Sequence, residues 1–441
     1  MATWNSSNTS FFSGNETLHE TVILATNEGS PLLVNNHINH PVIRVDDDTV
    51  QHTSRNRRKV SDQSILYFNN IQFDEDERSF DVSSTNAHGN AVFSTYDGMI
   101  ALQVSNTASA NIARQSRAVI PYYPGRQNEV LLSLRLTTPQ EGIRRRLGLF
   151  DENNGAYFED DGGTYAVVLR RNTESGPVET RVTRDNWNVD KLDGTGPSRI
   201  TANAEAVQMM TIEYEHFGAG QVEFNWVFDN NKFPIHQFNT GNYSNTIWAL
   251  TPFLPIRQEL TNKTGVAGDH KLFIGSTAIA TEGTIGVVGR MSSAATRIQG
   301  YSLGSTANIF KPVLVIRLRS DRLSGVVMPE YFQAGTLDNT NIFYEIIENA
   351  NVTAAGVWQS INNESFVEYN SNTSTTFSGG DVIMQGYISG TGQGGVIQFP
   401  RDAINILKRK NMGTESENLV VAIASGANKS AYASLSWVEL R

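Results

Sequence analysis

Five carboxylates fall within a short stretch: Asp151, Glu152, Glu159, Asp160 and Asp161. Brought to one end of a fold, they and nearby turn carbonyls could hold calcium, which takes about six to eight oxygens at about 2.3–2.6 Å. Their spacing is not that of an EF-hand loop. Two opposed carboxylates across a cleft would suit glycoside hydrolysis. The chain has 45 Asp and Glu, so their presence alone selects nothing. The same residues also read as turn chemistry. Asn154-Gly155 and Asp161-Gly162 offer the positive φ that tight hairpins require. The turn reading is the preferred one, and calcium stands as its alternative.

Other chemistry is sparse. Eight histidines are scattered through the chain, and the pair His37 and His40 sits in an Asn-rich segment that reads as a surface loop. No HExxH, GxSxG, GxGxxG or P-loop pattern occurs. Cysteine is absent, which excludes disulfides, zinc–thiolate sites and a thiol nucleophile. No catalytic residue, cofactor or metal site is therefore assigned. Tyr122, Tyr123, Trp187, Tyr243 and Trp248 could stack on sugar rings or on a partner protein. Packing in a core or between subunits is the commoner fate of such side chains.

Elements must position these residues, and their signature is β throughout. Charged residues are only 18% of the chain, Gly numbers 36, and short β-prone runs are bounded by Gly, Asn and Asp. Around the carboxylates the sequence predicts strands near 145–150, 155–159 and 165–170. Residues 129–137 (EVLLSLRLT) alternate, so Val130, Leu132, Leu134 and Leu136 should share a buried face. The strongest hairpin signal pairs 208–215 with 221–229 across a five-residue loop with two glycines. Its inward sets should be Met210, Ile212 and Tyr214, and Val222, Phe224, Trp226 and Phe228. Pro121 and Pro124 forbid a central strand between them and mark a loop or crossover. Residues 187–197 read as a long loop anchored by Trp187 and Leu192. Residues 400–410 (PRDAINILKRK) read as one short helix, with Asp402 at its start and Lys408, Arg409 and Lys410 at its end.

At 441 residues the chain exceeds one typical core. The organisation expected is an N-terminal arm over 1–60, a β-sandwich over 61–303 and a smaller β domain over 304–441. The arm carries Asp46-Asp47-Asp48 followed by the basic residues Arg55, Arg57, Arg58 and Lys59. These read as a solvated or inter-subunit charge face, since a net charge of −10 speaks against a nucleic-acid partner. No apolar run is long enough to span a bilayer, and the N-terminus lacks the pattern of a secretory signal. Synthesis in a cytosol without membrane insertion is the expectation.

Five phrases recur in order: RRRLGLFDENNGAYFE with GTYAVVLRR, NWNVDKLDGTGPS, QMMTIEYEHFGAGQVEFNWVFDN and TPFLPIRQELTN. Together they resemble a β-sandwich module of structural proteins in tailed bacteriophages, notably those of marine bacteria and cyanobacteria. The resemblance spans roughly residues 115–290. The C-terminal VWQSINNESFVEYNSNTSTTFSGGDVIMQGYIS is similar to segments that follow the module in related virion proteins. The resemblance implies an all-β, lectin-like jelly-roll sandwich with a second, smaller C-terminal β domain. It also implies a non-enzymatic tail, baseplate or fibre component. Expected partners are other virion proteins, further copies of the chain with a trimer favoured, and a host surface glycan. A capsid decoration or head-fibre protein is the close alternative. A carbohydrate-binding or depolymerising host-recognition protein is the alternative from another class.

Overall fold

The computed structural model describes residues 24–25 and 31–32. From 62 to 440 it describes all but 230, 284–288, 337, 339, 391–394 and 400–406. The chain divides into two compact units, residues 1–59 and 60–441. Within the first, Leu24–Ala25 pairs antiparallel with Pro31–Leu32. The rest of the expected arm, with its basic cluster and His37 and His40, lies outside the described residues.

The second unit is all-β and opens with a jelly-roll sandwich. Its seven-stranded sheet runs Gly176–Thr183, Thr164–Thr173, Gly155–Asp161, Ile143–Phe150, Ile256–Asn262, Ala110–Ser116, Phe80–Ser84. The facing sheet is eight-stranded. It runs Asn231–Asn239, Gln221–Phe228, Gln208–Tyr214, Asn128–Arg135, His270–Glu282, Met99–Val104, Gly89–Ser94, and Gln63–Asn69 also pairs with His270–Glu282. Every pairing in both sheets is antiparallel.

Period-2 alternation sets which residues go inside. Val130, Leu132, Leu134 and Leu136 are all buried, as are Met210, Ile212, Tyr214, Val222, Phe224 and Trp226. Phe228, at the end of its strand, is half-buried. From the opposite sheet Leu147, Leu149, Phe158, Val167 and Leu169 meet them in one core. Phe158 and Phe224 touch edge to face across the two layers, 5.1 Å between ring centroids. Each such side chain adds about 1.5–3 kcal/mol by leaving water. Residues 117–127 cross from Ala110–Ser116 to Asn128–Arg135, the other sheet, as the two prolines require. The loop after Thr183 makes a second crossover, and Trp187 and Leu192 are both buried in it.

The second sandwich packs a five-stranded sheet on a six-stranded one. The five-stranded order is Arg290–Ala295, Ser430–Leu440, Val326–Thr336, Gly395–Gln398, with Tyr301–Ser302 also on Ser430–Leu440. The six-stranded order is Gln359–Ser360, Val367–Asn370, Lys311–Leu318, Leu419–Ala424, Ile342–Glu348, Asp381–Ile388. Sheet pairing thus puts Arg290–Ala295 and Tyr301–Ser302 with the C-terminal strands, although residues up to 303 were expected in the first sandwich. Arg290–Ala295 finds its partner almost 140 residues later, so no local pattern reveals the pairing. The helix expected over 400–410 is corrected at its end. Arg409–Lys410 pairs with Glu415–Ser416 as a short hairpin, and Lys408 and Arg409 are buried rather than solvated. Residues 400–406 lie outside the described residues.

The two sandwiches share packing. Val326, Met328, Val438 and Leu440 belong to the core cluster of the first. Polar contacts add to this along residues 409–417. Arg117 donates to Asp81 at 2.9 Å and to Glu417 at 3.0 Å. The Arg409 amide donates to the Arg117 carbonyl at 2.9 Å, and the Met412 amide to Asp81 at 2.9 Å. Beside this junction Lys408 pairs with Glu348 at 2.7 Å. Burial pushes the Glu417 carboxyl up to about 7, against the pull of Arg117 and Lys408 and with the help of Glu348. Its folded pKa lies above the ordinary 4.5, so the folded state binds the extra proton between those values. That contribution to stability is full at low pH and is lost as pH rises through about 7. Glu417→Gln, which stays neutral, should therefore gain in melting temperature relative to wild type between about pH 5 and about pH 8. Parallel curves over that range would show that Glu417 does not titrate there.

Candidate functional site

The carboxylates that invited a chemical reading are held by arginines on neighbouring strands. Arg145 and Asp160 are directly opposite across adjacent strands and both point into the sandwich. Arg145 Nη1 donates to Asp160 Oδ2 at 2.6 Å, Nε to the Lys271 carbonyl at 3.2 Å and Nη2 to Thr137 Oγ1 at 2.9 Å. Asp160 Oδ1 accepts the Gly163 amide at 2.8 Å. That bond closes the two-residue turn Gly162-Gly163, where both residues have positive φ. The other turn is capped by Asp151, whose Oδ1 accepts the amides of Asn153 and Asn154, each at 2.7 Å.

The outer face of the same sheet continues the pattern. Glu159 lies opposite Arg146, which lies opposite Glu259. Glu159 takes Arg146 at 2.8 Å and Arg181 at 2.6 Å. Arg170 and the Tyr157 hydroxyl both donate to Glu179 at 2.8 Å. Arg257 bridges Glu259, Gln115 and Glu152, and Asp161 pairs with Lys263 at 2.5 Å. Burial drives the Tyr157 hydroxyl well above its ordinary range, against Arg146 and Arg170. Each of the five carboxylates therefore has a side-chain or turn partner. No group of three or more His, Asp or Glu among the described residues is placed to hold a metal ion.

The five aromatic candidates separate. Tyr122, Tyr123, Trp187 and Trp248 are buried, and Tyr243 is 79% exposed. Tyr122 and Trp248 are brought together at one end of the first sandwich. Tyr122 stacks on Tyr214 at 5.8 Å, and Trp248 meets Tyr214 at 5.9 Å and His216 at 5.4 Å. The Tyr122 hydroxyl accepts the His216 amide at 2.9 Å. His216 Nε2 lies 2.9 Å from the Ala249 carbonyl, which can only accept, so that nitrogen carries the proton. Burial lowers the His216 pKa. Tyr123 lies beside Tyr122 in the crossover, with the Arg126 guanidinium 5.9 Å from its ring. Trp187 is remote from this group and donates to the Val182 carbonyl at 3.2 Å.

Two loops cover the cluster, and they touch. A Cβ added to Gly218 would come within 3.0 Å of Ile247. Gly220 passes so close to the Glu215 carbonyl that any side chain would overlap it, which is why the five-residue loop ends in glycine. Tyr243 projects from this end together with Phe217 and Leu250, 55% and 51% exposed. Sequence reading missed Phe217 and Leu250, because loop hydrophobics carry no periodicity.

Two further features were also missed. On the eight-stranded sheet Glu213 lies directly opposite both Glu129 and Glu223. Lys232 and Gln127 bond to Glu213, Gln63 to Glu129 at 2.7 Å, and Gln237 to Glu223 at 2.6 Å. On the second sandwich Phe310, Phe343 and Tyr387 form a row, with centroids 5.4 and 4.6 Å apart, and Tyr387 is 80% exposed.

No family model matches the chain. No curated protein matches it either. Among solved structures it is similar to a protein of unknown function from Shewanella oneidensis MR-1, 11% identical, covering 52% of this chain and 92% of that one, with a TM-score of 0.35. It is similar to the CBM2 module of the evolved Dit of Lactobacillus casei BL23 phage J-1, 9% identical, over 50% and 96% of the two chains, with a TM-score of 0.33. A legume lectin-like domain from Entamoeba histolytica is 10% identical over 46% of this chain and 89% of its own, with a TM-score of 0.28. No helix among the described residues is long and apolar enough to cross a membrane.

The carboxylate network makes a direct prediction. Asp160→Asn keeps the turn residue type but leaves Arg145 buried without its counter-charge, a loss of about 3–5 kcal/mol. Chemical denaturation should show that loss, and a paired Arg145→Met, Asp160→Leu replacement should recover most of it. Calcium should leave the melting temperature of wild type unchanged. A calcium-dependent rise that disappears in Asp160→Asn, Asp161→Asn would restore the metal reading.

Proposed function

We propose that this chain is a non-enzymatic structural protein of a tailed-phage virion, a component of a tail, baseplate or fibre. It is made in the host cytoplasm and takes its place in the particle through residues 1–60 and the β domains. One observation carries the reading. The phrases that resemble phage structural modules coincide with the architecture of the first sandwich. They supply the strands from Ile143–Phe150 to Thr164–Thr173, the buried crossover after Thr183, the hairpin Gln208–Tyr214 and Gln221–Phe228, and the strand Ile256–Asn262. The carboxylates in these phrases bind arginines and turn amides, which suits a part that carries load through the particle rather than one that turns over a substrate. Symmetric assembly, with a trimer as the form for a fibre-like part, multiplies weak contacts.

Recognition of a host surface glycan is a second reading within the same particle. The outward ring of Tyr243 favours it, since sugar rings present apolar C–H faces to aromatic rings. A head-fibre or decoration protein would use the same assembly chemistry, and fractionation of particles into heads and tails distinguishes it.

Purified protein should run in light scattering as a trimer, or as a monomer that assembles once its virion partner is added. Antibodies against it should label purified particles. Release of sugar from host envelope polysaccharide, abolished by Glu213→Gln alone, would overturn this reading in favour of a depolymerase.

A further inference from the structure

We propose that the second sandwich has its own saccharide site, in a cleft of about 430 Å³ beside the end of strand Lys311–Leu318. The inference takes its ligand class from the glycan reading above but uses a different surface. One wall is the antiparallel pair of Asn351–Thr353 with Thr376–Ser378, and the other is the hairpin of Arg409–Lys410 with Glu415–Ser416. The volume falls within the range of about 300–1,000 Å³ usual for small-ligand sites.

The lining is what a polyol needs. A sugar hydroxyl donates and accepts at once, so it pairs best with a wall that mixes both functions at close spacing. The side chains of Asn351, Thr353 and Ser378 face the cleft and hold no hydrogen bond among the described residues. Asn418 donates its Nδ2 to the Ala350 carbonyl at 3.2 Å, while its Oδ1 is buried and unpaired. Arg317 and Lys410 add donors, and Glu415 adds an acceptor.

The donors are held in place. The Arg317 guanidinium lies 3.9 Å from the centroid of the Trp358 ring, and its Nε is fixed to Glu368 at 2.6 Å. Its two terminal nitrogens make no bond among the described residues. Half-buried Leu323 gives the lining a small apolar portion that suits the C–H face of a pyranose. The strand pair Asn351–Thr353 and Thr376–Ser378 is anchored because Val352 and Phe377 pack on Val315 and Val420 of the six-stranded sheet. Two alternative ligand classes fit less well. A phosphate would meet the Glu415 carboxylate, and a metal ion would find one carboxylate.

The test uses the full chain on an array of immobilised oligosaccharides built from neutral hexoses, N-acetylhexosamines and uronates, followed by calorimetry with the best binder. Ser378→Trp, an exposed position whose side chain would fill the cleft, should abolish binding. Asn351→Ala and Arg317→Ala should each weaken it about tenfold, the effect of about 1.4 kcal/mol, with melting temperatures that stay near wild type. Tyr243→Ala, on the other sandwich, should bind as wild type does. Binding that survives Ser378→Trp and is lost in Tyr243→Ala overturns the cleft and leaves the glycan reading standing at the loop end. Binding of no probe by the wild type overturns the cleft, and the assembly experiment above judges the virion reading separately.

Discussion

The seven-stranded sheet depends on charge pairs placed where strand register forces them to meet. Arg145 and Asp160 are fully buried and face each other across two adjacent strands. A slip of one residue along Ile143–Phe150 would turn Arg145 out of the core together with Ile143, Leu147 and Leu149. Three consecutive arginines follow Ile143 in this strand, and each has a carboxylate directly opposite it on Gly155–Asp161. The outer face repeats the device with Glu259, Arg146 and Glu159 in one row across three strands. Such pairs often add less net stability than an apolar core of equal volume.

The same device explains what sequence reading found and missed. Hairpins with clean alternation, such as Gln208–Tyr214 with Gln221–Phe228, were visible because every inward residue is apolar. The strand Ala110–Ser116 was not visible. Its inward position after Ile112 is Arg114, buried against the Phe80 ring at 3.4 Å and bonded to Glu75 at 2.6 Å. Burial pulls the Arg114 pKa down, and Glu75 restores part of it. A charge in a core position breaks the hydrophobic pattern, so neither this strand nor its partner Phe80–Ser84 stands out in the sequence. The acidic turns were recognised as turns, yet their arginine partners were not, since cross-strand contacts between residues about fifteen apart need the register first.

Site residues were less legible than strands. Aromatic type says that a side chain will make large contacts and does not say with what. Tyr122 and Trp248 became the floor of a loop cluster, Trp187 became a crossover anchor, and Tyr243 alone among the five points outward. The cleft of the second sandwich was invisible for another reason. Its walls are short strands of two or three residues, assembled from segments around 317, 351, 378 and 415, and each segment taken singly is an ordinary polar turn.

The strand Ser430–Leu440 lies inside the five-stranded sheet, bonded to Arg290–Ala295 on one side and Val326–Thr336 on the other. Its Val438 and Leu440 also complete the core of the first sandwich. On the ribosome, then, Arg290–Ala295, Tyr301–Ser302 and Val326–Thr336 wait unpaired on that side until residue 440 has left the exit tunnel. Their edges are exposed throughout that interval, which is the circumstance in which β-rich chains pair with the wrong neighbour. Long-range closure of this kind is slow. Synthesis of many copies at once therefore puts a premium on keeping nascent chains apart until the last strand is in place.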